Sequence, residues 1–201
     1  MIIIPDLQTF ILIPIIFYII TQNLYVSFIS FILIIKFMSS PRKLLVNAKQ
    51  NYFYSPSSGF IRYINTTTYK DHITISIFLN IFDNHTQYIP VISYLKDIEH
   101  KYGTFERAYL EHSINNERVI NTLYNPTYNF NYTITQITGL LTRRILSLQK
   151  TNDKLLNPGE RLGFIMLGSR VDISIPKKNV KQILIKENMH ISEMIPMIEL
   201  Q

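Results

Sequence analysis

The run Asn157–Pro176, NPGERLGFIMLGSRVDISIP, decides the fold. It opens on a Pro-Gly pair at 158–159, rises into GFIM at 163–166, breaks at Gly168-Ser169 and resumes as VDISIP at 171–176. Short β-branched and apolar runs bounded by turn residues predict two strands. A Gly-Ser pair between strands is ordinarily a bulge or a turn. On both sides the same pattern recurs: GFIRYIN (59–65), ITISIFLNIF (73–82), QYIPVISY (87–94), ERVINTLYN (117–125), YNFNYTITQI (128–137) and KQILIKE (181–187), with breaks such as SPSSG (55–59) and Asn125-Pro126. Strands at this spacing predict a mainly β, α+β domain of curved antiparallel sheets, sandwich- or barrel-like, with a few short helices rather than βαβ units. Two stretches read as helical. Gly103–His112 mixes small and charged residues at helical spacing, and Gly139–Leu148 puts Leu140, Leu141, Ile145 and Leu148 on one stripe.

The N-terminal end has a different character. No charged side chain occurs from Leu7 to Ile35, and neither face is polar, unlike a helix that packs one side on a core. Residues 1–40 therefore read as a hydrophobic helical membrane anchor and 41–201 as the folded domain. Phe10–Ile20 and Leu24–Ile35 each fall short of the roughly 20 residues that cross a bilayer. That leaves a single span from about Phe10 to Ile35 kinked at Pro14, or a helical hairpin turning at Thr21–Asn23. Asp6 precedes the run with no basic residue before it, and no A-x-A-like site follows, which disfavours a cleaved signal peptide. Lys36, Arg42, Lys43 and Lys49 follow closely, placing the remainder on the cytoplasmic face of the membrane.

Twenty Lys and Arg against fourteen Asp and Glu give a net charge of +6, which suits an anionic partner. The absence of cysteine excludes a disulfide framework, a thiol nucleophile and thiolate metal sites. The five histidines show no ligand spacing, so no metal site is expected. Nucleotide-binding glycine motifs, G-x-S-x-G and H-E-x-x-H are all missing. Lys177-Lys178 and Arg143-Arg144 lack the aromatic ladder that single-stranded nucleic acid requires, so no nucleic-acid partner is expected.

GERLGFIMLGSRVD resembles the G-E-R-x-G-x-I-x-F-G-S-R-V-D strand pair of the phosphatidylserine decarboxylase family, especially its short, membrane-anchored class. Five more segments agree in the same order: FMSSPR (37–42), SPSSG (55–59, against S-P-A-D-G), ISIFLNIFDNHTQYIP (75–90), FERAYLEHSINNER (105–118) and QITGLLTRRI (136–145). The resemblance covers nearly all of 37–201. It departs at Ser58, which stands where S-P-A-D-G has its acid, and at His85-Thr86-Gln87-Tyr88, which replaces H-V-N-R.

The resemblance implies a pyruvoyl-dependent conversion of phosphatidylserine to phosphatidylethanolamine. The chain would cut itself between Gly168 and Ser169 into a β chain, 1–168, and an α chain, 169–201. Ser169 would become the covalent pyruvoyl group that forms a Schiff base with the lipid amine, and His85 would carry the proton. Arg143, Arg144 and Arg170 are candidates either for the lipid phosphate or for internal ion pairs. A homo-oligomer stays open. The departure at Ser58 keeps a second reading alongside: an uncleaved relative that binds anionic lipid or scaffolds a membrane partner, because serine cannot place a negative charge beside an imidazole.

Overall fold

A computed structural model describes residues 14–16, 18–38, 47–66, 71–80, 82–108, 111–140, 145–151, 154–165 and 169–201. The chain divides into two compact units, Met1–Arg42 and Lys43–Gln201.

In the first unit, residues 14–16 and 18–21 are helical, and helix α1 covers Leu24–Met38. Gln22 lies between them with φ of 51°, in the left-handed region that ends helices. Asn23 then caps α1: its Oδ1 accepts from the amides of Tyr25 (3.0 Å) and Val26 (3.4 Å). Ser27 Oγ donates to the Pro14 carbonyl at 2.8 Å. Thirteen residues along one straight helix would separate those atoms by about 20 Å, so the two helical pieces fold back as a hairpin and the single kinked helix is excluded. Leu24, Tyr25, Phe28, Ile29 and Ile32 are all exposed. Among the described residues no helix is long and apolar enough to cross a membrane. The 15 residues of α1 rise only about 22 Å, against roughly 30 Å of bilayer hydrocarbon.

Fourteen strands build the described part of the second unit: β1 Tyr52–Tyr54, β2 Gly59–Asn65, β3 His72–Leu79, β4 Thr86–Tyr88, β5 Ser93–Lys101, β6 Arg118–Asn125, β7 Phe130–Ile137, β8 Ile145–Ser147, β9 Leu155–Leu156, β10 Arg161–Ile165, β11 Ser169–Pro176, β12 Val180–Ile183, β13 His190–Ile191 and β14 Pro196–Leu200. Eight form one antiparallel sheet in the order β13-β2-β3-β11-β7-β6-β5-β9, and two three-stranded sheets, β4-β10-β8 and β1-β14-β12, accompany it. The large sheet is open, with edges at the two-residue strands β13 and β9, so the barrel alternative does not hold among the described strands.

β11 is central, and its alternation explains why. Val171, Ile173 and Ile175 point into the core, in register with Ile77, Ile75 and Ile73 of β3. Each buried aliphatic side chain contributes about 1.5–3 kcal/mol relative to exposure. Phe53, Met197, Ile198 and Leu200 from β1 and β14, and Leu162 and Ile165 from β10, complete that core. The two strands read from 163–176 thus exist but belong to different sheets, β10 beside β4 and β11 beside β3.

Neither helical reading is seen among the described residues. Residues 103–108 are irregular, and only a short 3-10 turn follows at Glu111–Asn115. The backbone groups a helix would pair internally are taken by the Asn116 side chain, whose Nδ2 donates to Glu106 O (2.7 Å) while its Oδ1 accepts from Glu106 N (2.8 Å). In Gly139–Leu148, residues 141–144 lie outside the described residues, and Ile145–Ser147 is a strand paired with Gly163–Ile165 of β10. Pairing with a neighbouring strand overrides the weak helical stripe.

Candidate active site

Ser169 opens β11, paired with Leu79 at the end of β3. Its hydroxyl is buried and has no hydrogen-bond partner among the described residues. Leaving a buried hydroxyl unpaired costs about 1–3 kcal/mol, a cost also met at Ser57. A carbonyl group there would carry no donor proton to satisfy. Ser169 therefore fits the prosthetic group that the resemblance places at this position.

The neighbouring Arg170 is also buried, and its guanidinium contacts several side chains. Nε and Nη2 donate to the two carboxylate oxygens of Asp172 at 2.7 and 2.6 Å, Nη1 donates to Ser113 Oγ at 3.0 Å, and Nη2 reaches the Tyr63 hydroxyl. The guanidinium also lies 5.2 Å from the centre of the Tyr63 ring. Burial, reinforced by the charge of Asp172 and opposed by that of Arg170, pushes the Tyr63 phenol up to about 12. Of the two roles open to Arg170, the internal ion pair is what this geometry contains. A bidentate fork on a carboxylate is the strong form of such a pair.

His85 sits in the loop between β3 and β4 and is almost fully buried. Its Nδ1 lies 2.7 Å from the Asp83 carbonyl. A carbonyl oxygen only accepts, so Nδ1 carries the proton and Nε2 is the basic nitrogen. Burial lowers the His85 pKa from the ordinary histidine value, opposed by the hydrogen bond to the Asp83 carbonyl and by the Asp83 charge. Burial thus favours the neutral imidazole, the form that accepts a proton. The His85 carbonyl accepts from the amide of Ile165 at 3.0 Å, which ties this loop to the end of β10, four residues before Ser169.

A buried ladder of amides holds the same carbonyl. Gln87 Nε2 donates to His85 O (2.8 Å), Gln136 Nε2 donates to Gln87 Oε1 (2.6 Å), and Asn121 Nδ2 donates to Gln136 Oε1 (3.1 Å). Gly163 makes room for it, since a Cβ there would lie 2.7 Å from Gln136 Nε2. Ser58, in the place of the motif's acid, accepts from the Asn84 amide at 3.0 Å, one residue before His85. The adjoining Gly59 has φ of 142°, and a Cβ there would fall 2.4 Å from Phe78 O, so the SPSSG turn needs glycine at its end.

Gly168, Arg143 and Arg144 lie outside the described residues. Sequence reasoning missed the Asp83 carbonyl, the amide ladder and Asn116, whose Nδ2 also donates to Thr138 O at 2.8 Å. For Gln87, Gln136 and Asn116 the available signal was their place inside the quoted motifs. A backbone carbonyl leaves no such signal. Among the described residues no group of three or more His, Asp or Glu could hold a metal ion. A recess of about 710 Å³ lined by His72, Tyr124, Phe130, Pro176 and Lys177 lies at the opposite end of β11 from Ser169.

Comparison with known proteins agrees with this placement. The family profile described as phosphatidylserine decarboxylase matches residues 30–195. A phosphatidylserine decarboxylase proenzyme of Parabacteroides distasonis is 34% identical over 160 residues, 76% of this chain and 71% of that one. One from Burkholderia ambifaria is 32% identical over 172 residues, 82% of this chain and 78% of its own. No solved structure matches the chain. The matched span takes in the Ser58 turn, the His85 loop and the β10–β11 segment alike, and on that extent of agreement the chain belongs to the phosphatidylserine decarboxylase family of carboxy-lyases.

Proposed function

We propose that this chain is a self-processing proenzyme that decarboxylates phosphatidylserine to phosphatidylethanolamine. The buried hydroxyl of Ser169, without a partner among the described residues, is the observation that carries the reading. His85 Nε2 takes the Ser169 hydroxyl proton, and Oγ attacks the Gly168 carbonyl carbon. A C–O bond forms as the Gly168–Ser169 C–N bond breaks, and Nε2 passes the proton to the departing nitrogen, leaving an ester and a free amine. Loss of the residue-169 Cα proton and departure of the Gly168 carboxylate give dehydroalanine. Hydrolysis then releases ammonia and leaves the pyruvoyl group at residue 169. Once in place, that group supplies an electron sink for the carbanion left by CO₂. His85, oriented through Nδ1–H by the Asp83 carbonyl, would deliver a proton to that carbon through Nε2 after Nε2 has taken one up from solvent.

The substrate lies in a bilayer, and the first unit suits one. Its helical hairpin exposes Ile19, Ile20, Leu24, Tyr25 and Phe28, a surface with no use for water. Residues 1–40 act as an anchor inserted from one face, with 41–201 as the catalytic domain. The basic residues Lys36, Arg42, Lys43 and Lys49 keep that domain on the cytoplasmic side and near anionic lipid. Arg143, Arg144 and Arg170 are the candidates for the lipid phosphate.

Intact mass of the purified 23.7 kDa chain tests the reading. Two fragments, 1–168 and 169–201, with a hydroxylamine-reactive group at residue 169, are expected. A single unmodified chain would overturn it in favour of the second reading, an uncleaved lipid-binding relative. The observation behind that alternative is Ser58, whose hydroxyl bonds the Asn84 backbone and brings no charge to His85.

A further inference from the structure

We propose that His190 is a positioning residue for His85, acting through Asp83. The inference rests on the assignment of His85 as the proton carrier. His190 belongs to β13, which pairs with Phe60 and Gly59 at the edge of the large sheet. Its Nε2 donates to Asp83 Oδ1 at 2.8 Å. The other carboxylate oxygen, Oδ2, accepts from the Asn80 amide at 2.8 Å, and the Asp83 amide donates back to Asn80 O at 3.1 Å. Both oxygens of Asp83 are thus engaged, which fixes the peptide unit whose carbonyl accepts from His85 Nδ1–H. The tautomer of a histidine is set by the partner of its other nitrogen. Here that partner is a backbone carbonyl, and a backbone carbonyl is only as well placed as the residue it belongs to.

Two further contacts show that the C-terminal segment grips this loop as a unit. Phe60 meets the His190 ring edge-on at 4.7 Å and restricts its orientation. Glu193 Oε1 accepts from Asn84 Nδ2 at 3.0 Å, so the residue between Asp83 and His85 is held from the same side. Asn188 and Met194, at the two ends of this segment, have φ of 62° and 59°, an uncommon conformation for residues other than glycine. After cleavage at Gly168, His190 and Glu193 lie on the C-terminal fragment while Asp83, Asn84 and His85 lie on the N-terminal one. The proton carrier is therefore oriented by the fragment that bears the reacting residue.

The His190 side chain is 44% exposed, so replacing it leaves the core intact. Imidazole ¹⁵N shifts of His85 in a Ser169→Ala chain, uncut by design, test the proposal without depending on processing. The Nδ1–H tautomer is expected to dominate in that chain, to mix with the other in His190→Ala, and to return in His190→Gln, which keeps a donor toward Asp83. Unchanged His85 shifts in His190→Ala would overturn the proposal. In the chain that retains Ser169, His190→Ala is expected to slow self-cleavage about tenfold or more with an unchanged melting midpoint, and His190→Gln to recover it. A slowing that tracks a fall in melting midpoint, with no recovery by glutamine, overturns it too. A parent chain that never cleaves sinks the self-processing reading, while the tautomer measurement still decides on His190.

Discussion

Two neighbourhoods, one at Arg170 beside Ser169 and one at His85, are built on opposite plans. On the Arg170 side the polar groups answer one another: guanidinium to carboxylate, hydroxyl and phenol, buried and closed. On the His85 side the ring is held at Nδ1 by a peptide carbonyl, and the Ser169 hydroxyl has no partner among the described residues. The closed cluster rigidifies the start of β11, because a buried pair with every group satisfied has little freedom to rearrange. The open one leaves the Ser169 hydroxyl without a partner among the described residues. A rigid frame beside an unsatisfied nucleophile is what a self-cutting peptide bond requires.

The contrast breaks most completely at Ser169. Ser169→Ala is expected to abolish chain splitting and hydroxylamine reactivity, leaving one intact mass. His85→Gln comes next, slowing splitting by about 10²–10⁴-fold, as read by the rate of fragment appearance. Splitting of the unaltered chain should fall as pH drops through the His85 pKa. Burial has lowered that pKa, so the midpoint lies below the ordinary value of about 6.5. The same shift has a stability consequence with a definite sign. The unfolded chain takes up this proton first, so stability on this account is lost as pH falls below about 6.5 toward the folded value. On the closed side, Arg170→Ala strands the Asp172 carboxylate and is expected to cost about 3–5 kcal/mol in denaturant unfolding of the Ser169→Ala chain. A cost under 1 kcal/mol would show that the cluster does not stiffen β11. The smallest effect sharpens the comparison by making the open side more charged. Ser58→Asp adds an anion near His85 and should move the splitting midpoint upward by about one pH unit or less. A downward shift would mean that position 58 does not act on His85.

Much of the sheet was legible because alternation is a local property. GFIRYIN, ERVINTLYN and VDISIP became β2, β6 and β11, with Ile61, Val119, Leu123, Val171, Ile173 and Ile175 turned inward. The charged half of β5, Lys96–Lys101, was missed, since a strand rich in charge does not announce itself. It is tolerated there because β9 covers only Ser93 and Tyr94, leaving the rest of that edge in water. The segments at 103–112 and 139–148 misled because helical spacing is cheap to satisfy by chance, while Asn116 and β10 compete for the same backbone.

What the chain order alone determined was the family and the candidates for its reactive pair. Six motifs in sequence carried Ser169 and His85 to their positions without any coordinates, because each motif is a contiguous stretch. The apolar character of residues 7–35 was equally plain, while the fold-back at Gln22 took a contact between Ser27 and Pro14 to establish. Only the tertiary structure decided what each polar group is bonded to. Arg170 finds Ser113 57 positions away, Gln136 finds Gln87 49 away, and Asp83 finds His190 107 away. Partners so distant are chosen by strand register and sheet order, which bring chain ends together through many small packing gains. No local pattern encodes them.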